Sequence, residues 1–368
     1  MKSPVFFFDL RTDIRESFTA RLHRLLDQVS IASIIQEKEL VAVKLHFGEK
    51  GNTAFIRPRF LRDIVRKIYA CGGRPFLTDA NTLYRGERGE AVSHLKLALE
   101  HGFGFETIGA PLIIADGLRG NSFQKIKIAG KHFKEVFIGA EIAQADVLVS
   151  VAHFKCHELT GFGGTLKNLG MGCAARQGKL KQHSNVSPKV KRKSCTACGR
   201  CITWCPGEAI SFVNEKAKIN LGKCIGCAEC IMICPAGAIQ VKWNETIEIF
   251  QHKMIEYAWG VLKEKKKKTI FLNFITDVSP ACDCYGHADR PIVPDIGILA
   301  SRDPVAIDQA AADLVNNEQG LENSALTTNH ARGKDKFKDI YPKVDWELQL
   351  NYAVKLGLGK RDYELIKI

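Results

Sequence analysis

The segment Cys195-Thr-Ala-Cys198-Gly-Arg-Cys201-Ile-Thr-Trp-Cys205-Pro206 holds four cysteines separated by two, two and three residues. The pattern returns at Cys224-Ile-Gly-Cys227-Ala-Glu-Cys230-Ile-Met-Ile-Cys234-Pro235. This spacing is typical of bacterial two-cluster ferredoxins, in which the fourth cysteine of each run binds the cluster of the other run. It predicts one [4Fe-4S] cluster on Cys195, Cys198, Cys201 and Cys234, and a second on Cys224, Cys227, Cys230 and Cys205.

Zinc is the alternative occupant of these cysteines, because Cys-x2-Cys pairs also suit a tetrahedral zinc ion. Zinc sites usually pair two short knuckles across a spacer, whereas here three cysteines at two-residue gaps precede Cys-Pro, and the run occurs twice. The spacing therefore favours iron–sulfur clusters over zinc. Residues 195–210 and 224–239 also align as an internal repeat, which predicts a small module with pseudo-twofold symmetry whose two halves each cover one cluster.

The rest of the 368-residue chain shows short apolar runs that alternate with helical patterns. Such alternation predicts an α/β domain with a largely parallel sheet. Because the pattern resumes after the cysteine runs, we expect a discontinuous α/β domain, residues 1–188 and 246–368, interrupted by a small α+β ferredoxin-type domain at 189–245. The predicted strands are Val5–Leu10, Leu40–Phe47, Arg74–Ala80, Pro111–Ala115, Val147–His153 and Thr269–Asp277, and the clearest helices begin at Pro58, Ile247 and Pro304.

The chain is basic, with a formal net charge of +13, and its lysines concentrate in Lys189–Lys193 and Lys263–Lys268. Nucleic-acid binding is not favoured, because no helix-turn-helix, RNA-binding sheet or aromatic-interleaved basic stripe accompanies these runs. The lysines are explained as solvent-exposed charges in a linker and at the end of a helix. They would also attract an acidic redox partner. No apolar run reaches the roughly 20 residues of a membrane span. Thirteen cysteines without an export signal indicate metal and redox chemistry in a reducing compartment, so we expect a cytoplasmic protein.

Three loops that follow predicted strands are rich in polar and sulfur-bearing side chains: residues 44–53, 153–173 and 282–289. Function in parallel α/β sheets usually resides on loops at the carboxyl ends of strands. We expect His153 and His157 to serve as acid–base groups or ligands, since histidine titrates near neutrality. Lys44 and Lys167 are the expected anion binders.

Cys282-x-Cys284 with nearby His287 offers soft donors for a third metal site that suits zinc, iron or copper, and Cys156, His153 or His157 would complete the site if the fold brings one of them close. The alternative is that these groups pack as small buried side chains. Gly163 and Gly164 lie in a glycine-rich stretch whose amides would approach a phosphate or a flavin, although tight turns explain the glycines equally well. The stretch matches neither the P-loop nor the dinucleotide-binding fingerprint.

The chain resembles the domain of unknown function 362 family in motifs spread over most of its length: Lys44-Leu-His46-Phe-Gly48, Val151-Ala-His153-Phe-Lys155-x-His157, Gly163-Gly164-Thr-Leu-Lys167-Asn168-Leu-Gly170, Asp295-Ile-Gly297 and Ser301-x-Asp303-Pro304-Val-Ala-Ile-Asp308. Members with the inserted module are described as uncharacterised iron–sulfur-centre proteins. The resemblance implies an α/β core interrupted by a two-cluster ferredoxin, and it implies no settled reaction.

Two functions fit these patterns. In the first, the chain is an oxidoreductase whose two clusters relay electrons to a small-molecule site in the α/β domain. In the second, it is an electron carrier or adaptor that docks an acidic redox partner and has no catalytic site of its own. The enzyme is favoured, because a carrier needs no concentration of lysine, histidine and cysteine outside its clusters.

Overall fold

The computed structural model describes residues 1–184, 187–265 and 267–368, so Lys266 of the basic run Lys263–Lys268 lies outside the described residues. The strands are β1 (Ser3–Phe8), β2 (Leu40–Lys44), β3 (Arg74–Asp79), β4 (Leu112–Ile114), β5 (Phe123–Lys127), β6 (Glu135–Gly139), β7 (Val147–His153), β8 (Lys155–His157), β9 (Gly161–Gly163), β10 (Lys189–Val190), β11 (Ile210–Val213), β12 (Lys216–Ile219), β13 (Ile239–Gln240), β14 (Thr269–Ile275), β15 (Gly297–Ser301) and β16 (Tyr363–Lys367). The helices are α1 (Phe18–Gln28), α2 (Pro58–Ala70), α3 (Ala91–Glu100), α4 (Phe105–Ile108), α5 (Ala140–Gln144), α6 (Thr165–Gly170), α7 (Arg176–His183), α8 (Arg200–Thr203), α9 (Glu229–Ile233), α10 (Ile247–Lys265), α11 (Pro304–Asn317), α12 (Lys336–Ile340) and α13 (Glu347–Lys355). Among these described helices, none has the length and apolar character needed to cross a bilayer.

A central sheet has the strand order β16-β1-β15-β14-β7-β2-β3-β4. Strand β15 runs antiparallel to both of its neighbours, and the other adjacent pairs are parallel. Strands β7 and β14 are buried along their whole length, as expected when helices cover both faces of a parallel sheet. The prediction of an α/β fold with a largely parallel sheet is confirmed.

Local sequence explains why the helices lie where they do. Helix α2 begins with Pro58 in its first turn, where the missing N–H costs nothing, and buries Leu61, Ile64 and Ile68 on one face. It ends at Ala70, and Gly72, two residues later, has a φ of +84°, a left-handed conformation that glycine adopts readily. Helical periodicity therefore buries one apolar face of α2.

Alternate residues of the central strands supply two separate apolar layers. Val41 and Val43 of β2 pack with α1 and α2 on one face of the sheet, whereas Ala42 belongs to the layer that contains α6, α10 and α11. Side chains of a strand alternate between faces, so each central strand contributes to both layers. The larger part of the molecule is therefore a helix–sheet–helix sandwich.

The segment that contains the two cysteine runs leaves this sandwich and returns to it. Strand β10 pairs antiparallel with β13, which closes the segment at its two ends, and β11 and β12 form a hairpin between them. Its buried residues form a third, much smaller apolar cluster that includes Cys201, Cys230 and Cys234. We refer to residues 189–245 as the cysteine module.

Candidate functional site

The three polar loops meet at one edge of the central sheet. Strands β2, β7 and β14 are adjacent and parallel, so the loops that follow them start at the same edge. The backbone N–H of Glu49 in the first loop donates to the carbonyl of Asp283 in the third, at 2.9 Å. The sheet therefore joins three stretches that are more than 100 residues apart in the sequence.

A cavity of about 540 Å³ opens at this edge, and we call it the edge pocket. Its wall is rich in cationic side chains, with fewer acidic ones and an aromatic portion that includes a tryptophan of the cysteine module. The cationic side chains are Lys44, Arg88, Lys155, Lys167 and Lys179. The acidic ones are Asp79 and Glu158, and the aromatic ones are Tyr84, Trp243, Phe250 and Tyr285. A pocket of this composition suits a small anion that also carries an apolar part.

Two thiols and an imidazole converge on the edge pocket. The donor atoms of His157, Cys282 and Cys284 lie within 4.8 Å of one another. Lys167 places its ammonium nitrogen 3.1 Å from the Cys282 sulfur. A hydrogen bond with the Cys284 thiol and the Lys167 charge hold the pKa of Cys282 well below its ordinary value against the opposing effect of burial, while the same hydrogen bond and burial raise the pKa of Cys284.

Of the residues that the sequence offers for a third metal site, His157 joins the two cysteines, whereas His287 and Cys156 do not. His287 contributes its carbonyl oxygen to a 3.2 Å hydrogen bond from Asn52, and its ring packs beside Tyr285. Cys156 is fully buried in an apolar layer, where burial raises the pKa of its thiol. Within the described residues, the group able to hold an ion contains His157 in place of His287 and Cys156.

His153 is held on both sides of its ring. Nδ1 lies 2.8 Å from an Asp283 carboxylate oxygen, and Nε2 lies 2.8 Å from the carbonyl of Thr276. The ammonium nitrogen of Lys155 lies 3.3 Å from Asp283. Burial alone would raise the pKa of Asp283, but His153 and Lys155 outweigh burial and lower it. The position of His153 indicates that it orients the cysteine loop through Asp283.

Lys44 and Lys179 bring buried positive charge to the edge pocket in different ways. Lys44 is 3.0 Å from Asp79 and also donates to Asn168 at 2.8 Å, so its partners are in place. Lys179 donates to the carbonyl of Ala174, and burial lowers its pKa to about 8. Sequence reasoning missed Lys179, because a single lysine on a helix carries no motif.

The glycine pair near α6 has a local explanation. The backbone N–H groups of Thr165 and Leu166 donate to the Asp308 carboxylate at 2.7 and 2.8 Å. A Cβ atom on Gly164 would lie 2.3 Å from that carboxylate. The sequence predicts an anion or flavin contact at Gly163 and Gly164, but the structure places the chain's own Asp308 at this helix terminus.

The module cysteines divide into two quartets, each around its own small cavity. The first cavity is lined by Cys195, Cys198, Cys201 and Cys234. The second is lined by Cys205, Cys224, Cys227 and Cys230. Backbone N–H groups point at the sulfurs, from Ala209 to Cys205 and from Ala238 to Cys234, each at 3.2 Å.

The two halves of the module also share an unusual backbone. Positive φ angles occur at matched positions of the repeat: at Ala197 and Gly226, at Gly199 and Ala228, and at Glu208 and Gly237. Non-glycine residues rarely adopt this conformation, so three matched pairs show that both halves wrap in the same way. This agreement extends the internal repeat from sequence to structure.

The module contacts the sandwich through α7. Gln177 donates to the carbonyl of Ile225 at 2.8 Å, and the buried Arg176 is 3.3 Å from Glu229. The same helix carries Lys179 and His183 to the edge pocket. One short helix therefore touches the second cysteine run on one side and the pocket on the other.

Comparison with known proteins adds the family. The family model described as "Domain of unknown function (DUF362)" matches residues 41–313, and no curated protein matches. The fold resembles the lactate racemase apoprotein from Thermoanaerobacterium thermosaccharolyticum (14% identity, TM-score 0.36, 69% of this chain and 49% of that one) and a structural-genomics protein from Thermotoga maritima (12% identity, TM-score 0.42, 82% and 58%). The chain thus spans about half of the racemase and somewhat more of the second protein. With nearly three quarters of its length matched, the chain belongs to the DUF362 family.

Proposed function

We propose that this protein is an iron–sulfur oxidoreductase in which two [4Fe-4S] clusters in the cysteine module exchange electrons with a small molecule in the edge pocket. The observation that carries the proposal is the way in which the eight cysteines divide between the two small cavities of the module. Cys234, from the second run, lines the first cavity, and Cys205, from the first run, lines the second. This exchange of the fourth cysteine is the arrangement of two-cluster ferredoxins.

The residues present fit such clusters. Each cavity offers four thiols, which is the ligand number of a [4Fe-4S] cluster. The amides of Ala209 and Ala238 supply N–H···S hydrogen bonds of the kind that stabilise ligand thiolates. Bound clusters would supply one-electron transfer, and the contact of the second run with α7 supports a route toward the pocket.

The pocket residues support binding of a small molecule. Lys167 and Lys179 bring positive charge to the wall, which favours a carboxylate or phosphate group. Trp243 and Phe250 offer an apolar surface for the rest of the molecule. His157 lines the pocket beside Cys284, whereas both nitrogens of the His153 ring have partners within the protein.

The second candidate function is an electron carrier that docks an acidic protein. It is favoured by the exposure of Cys198 and of Lys191, Lys193 and Arg200, three cations that are close to it in the sequence. A basic surface beside an exposed cluster ligand would steer an acidic partner to the point of electron entry. The two functions differ in whether the edge pocket is needed.

The first experiment is anaerobic purification followed by iron and acid-labile sulfide analysis. The proposal requires about eight of each per chain and paramagnetic signals from [4Fe-4S] clusters after reduction. Stoichiometric zinc with little iron would contradict it. To separate the two functions, the clusters are reduced, and their reoxidation is followed with small electron acceptors, such as quinones, that carry a carboxylate or phosphate group. An oxidoreductase loses such reoxidation in Cys282→Ser/Cys284→Ser with both clusters intact, whereas a carrier is unaffected by the change.

A further inference from the structure

We propose that His157, Cys282 and Cys284 bind one divalent transition-metal ion of the zinc class at the wall of the edge pocket, in a site independent of the cysteine module. Two thiolates and one imidazole form a Cys2His donor set, which is known from catalytic zinc sites whose fourth position stays open to water or substrate. The three donor atoms already lie within 4.8 Å of one another without an ion. His157 and Cys284 also line the pocket, so an open position would face it.

The ring of His157 is oriented for this role by its neighbour Thr160. The Thr160 hydroxyl has a single proton, which it donates to the Phe162 carbonyl at 2.7 Å. Its oxygen also lies 2.9 Å from His157 Nδ1. The Leu159 N–H donates to the same nitrogen at 3.2 Å. With Nδ1 held by these two neighbours, the ring leaves Nε2, on the side of Glu158, as the nitrogen that can bind an ion.

A second observation points to a cation independently of the thiols. Among the described residues, the Oε2 oxygen of Glu158 is buried and has no hydrogen-bond partner. The other carboxylate oxygen accepts from the Tyr285 hydroxyl at 3.1 Å, which holds the group in place. Oε2 lies 3.5 Å from His157 Nε2. A metal ion bound to His157 would give this carboxylate oxygen a cationic neighbour.

The charges of the site balance when the ion is present. Two thiolates and Glu158 carry three negative charges, and Lys167 with a divalent ion supplies three positive ones. Without the ion, the cation that touches the sulfurs is Lys167, whose ammonium nitrogen lies 3.1 Å from the Cys282 sulfur. The ion therefore completes the electrostatics as well as the coordination.

The cysteine loop is preorganised for this geometry. Asp283, between the two cysteines, is fixed by His153 and Lys155, and the Tyr285 N–H donates to the Cys282 carbonyl at 3.0 Å. Ligands that are held before the ion arrives lose little conformational freedom on binding. The same thiols could instead form a redox dithiol, and the experiment below separates the two.

The test uses the full-length protein, prepared anaerobically, incubated with Zn²⁺ and then freed of loosely bound ions by gel filtration. We expect one zinc per chain in addition to the module iron. The variants Cys282→Ser, Cys284→Ser and His157→Ala should each lose that zinc and keep their iron and sulfide. His287→Ala and Cys71→Ser are the matched controls and should keep the zinc, while Glu158→Gln should weaken zinc binding by about tenfold.

A second measurement uses the wild-type protein and therefore tests the proposal even if the variants fail to fold. In the wild-type protein, Zn²⁺ should protect Cys282 and Cys284 from alkylation, as read by peptide mass spectrometry. The proposal would be overturned if both cysteine variants retained zinc. It would also be overturned if the two thiols were alkylated equally with and without Zn²⁺, or if they were recovered as a disulfide in protein that binds no zinc. Loss of zinc in His287→Ala but not in His157→Ala would overturn the assignment of the histidine. Iron and sulfide are measured in the same samples, so that failure of the cluster assignment can be distinguished from failure of the zinc-site proposal.

Discussion

The cysteine module and the edge pocket place their thiols by opposite means. In the module, three of the four cysteines of each quartet come from one run, and the two runs are copies of each other. In the pocket, Lys167 meets Cys282 across 115 residues, and only the neighbouring positions of β7 and β14 bring them together. Residues that lie close together because of their spacing in the sequence can be proposed as a site from the sequence alone. Residues that the sheet brings together from distant segments can be identified as neighbours only in the structure.

The two regions also differ in what holds them together. The sandwich buries two extensive apolar layers, whereas the module buries a small cluster to which its own cysteines contribute. Chain segments of about 50 residues rarely bury enough apolar surface to be stable alone, and bound metal commonly supplies the deficit. We therefore expect the module to depend on the proposed clusters and the sandwich to be stable without them.

The largest expected effect tests this contrast directly. Cys201→Ser or Cys230→Ser removes one ligand of a quartet, so the corresponding cluster should be lost with about half of the iron. Hydrogen exchange in residues 189–240 should then rise by about tenfold or more, because the module loses part of its core. Exchange in β7 and β14 should stay unchanged. Equal loss of protection in both regions would show that the module and the sandwich unfold as one unit.

A smaller effect is expected from a buried charge in the sandwich. Asp79 faces Lys44 at 3.0 Å and Arg88 at 3.5 Å, and all three side chains are buried. Asp79→Ala leaves both cations without this partner, so the free energy of unfolding in urea should fall by about 3–5 kcal/mol. Glu100→Ala breaks the exposed pair with Lys96 and serves as the control, with an expected loss of about 0.5 kcal/mol or less. Iron content should not change in either variant.

The smallest effect is a pH dependence that belongs to the sandwich alone. Burial raises the pKa of Asp308 from 3.8 to about 6, against hydrogen bonds from Leu166, Asn273 and Thr165. The folded chain thus holds this proton more tightly than the unfolded chain. As pH rises from about 4 to about 6, the free energy of unfolding should fall by up to about 1.4 kcal/mol per pH unit from this group.

Asp308→Asn provides the reference, because an amide does not titrate. The difference between the unfolding curves of wild type and variant isolates this one carboxyl group from the many others. A pH-independent difference between pH 4 and 6 would show that Asp308 ionises at an ordinary pKa.

Sequence patterns were sufficient where burial is simple and the neighbours are local. The run Val147–His153 predicts β7 over the residues that form it, because all seven are buried. The prediction of a strand to Phe47 is too long, since β2 ends at Lys44 and the buried Leu45 and Phe47 belong to a loop. The sequence does not indicate that β15 runs antiparallel to its two neighbours, because the direction of a strand depends on the path of the whole chain.

The edge pocket was predicted only in part, for a related reason. The polar loops could be placed at the carboxyl ends of strands, but the order of β14, β7 and β2 in the sheet is what makes them neighbours. His287 is closer to Cys284 in sequence than His157 is, and yet His157 completes the group. Glu158 and Lys179 became visible as candidates only through their burial and their partners.

The position of β14 in the sheet has a consequence for how the chain is made. Strand β14 lies between β7 and β15, and it follows the cysteine module in the sequence. During synthesis, both cysteine runs leave the ribosome while one edge of β7 still lacks its neighbour, because β14 begins at Thr269, 35 residues after Cys234. Folding of the module around the proposed clusters and completion of the sheet thus become possible one after the other, in the order in which their residues are synthesised.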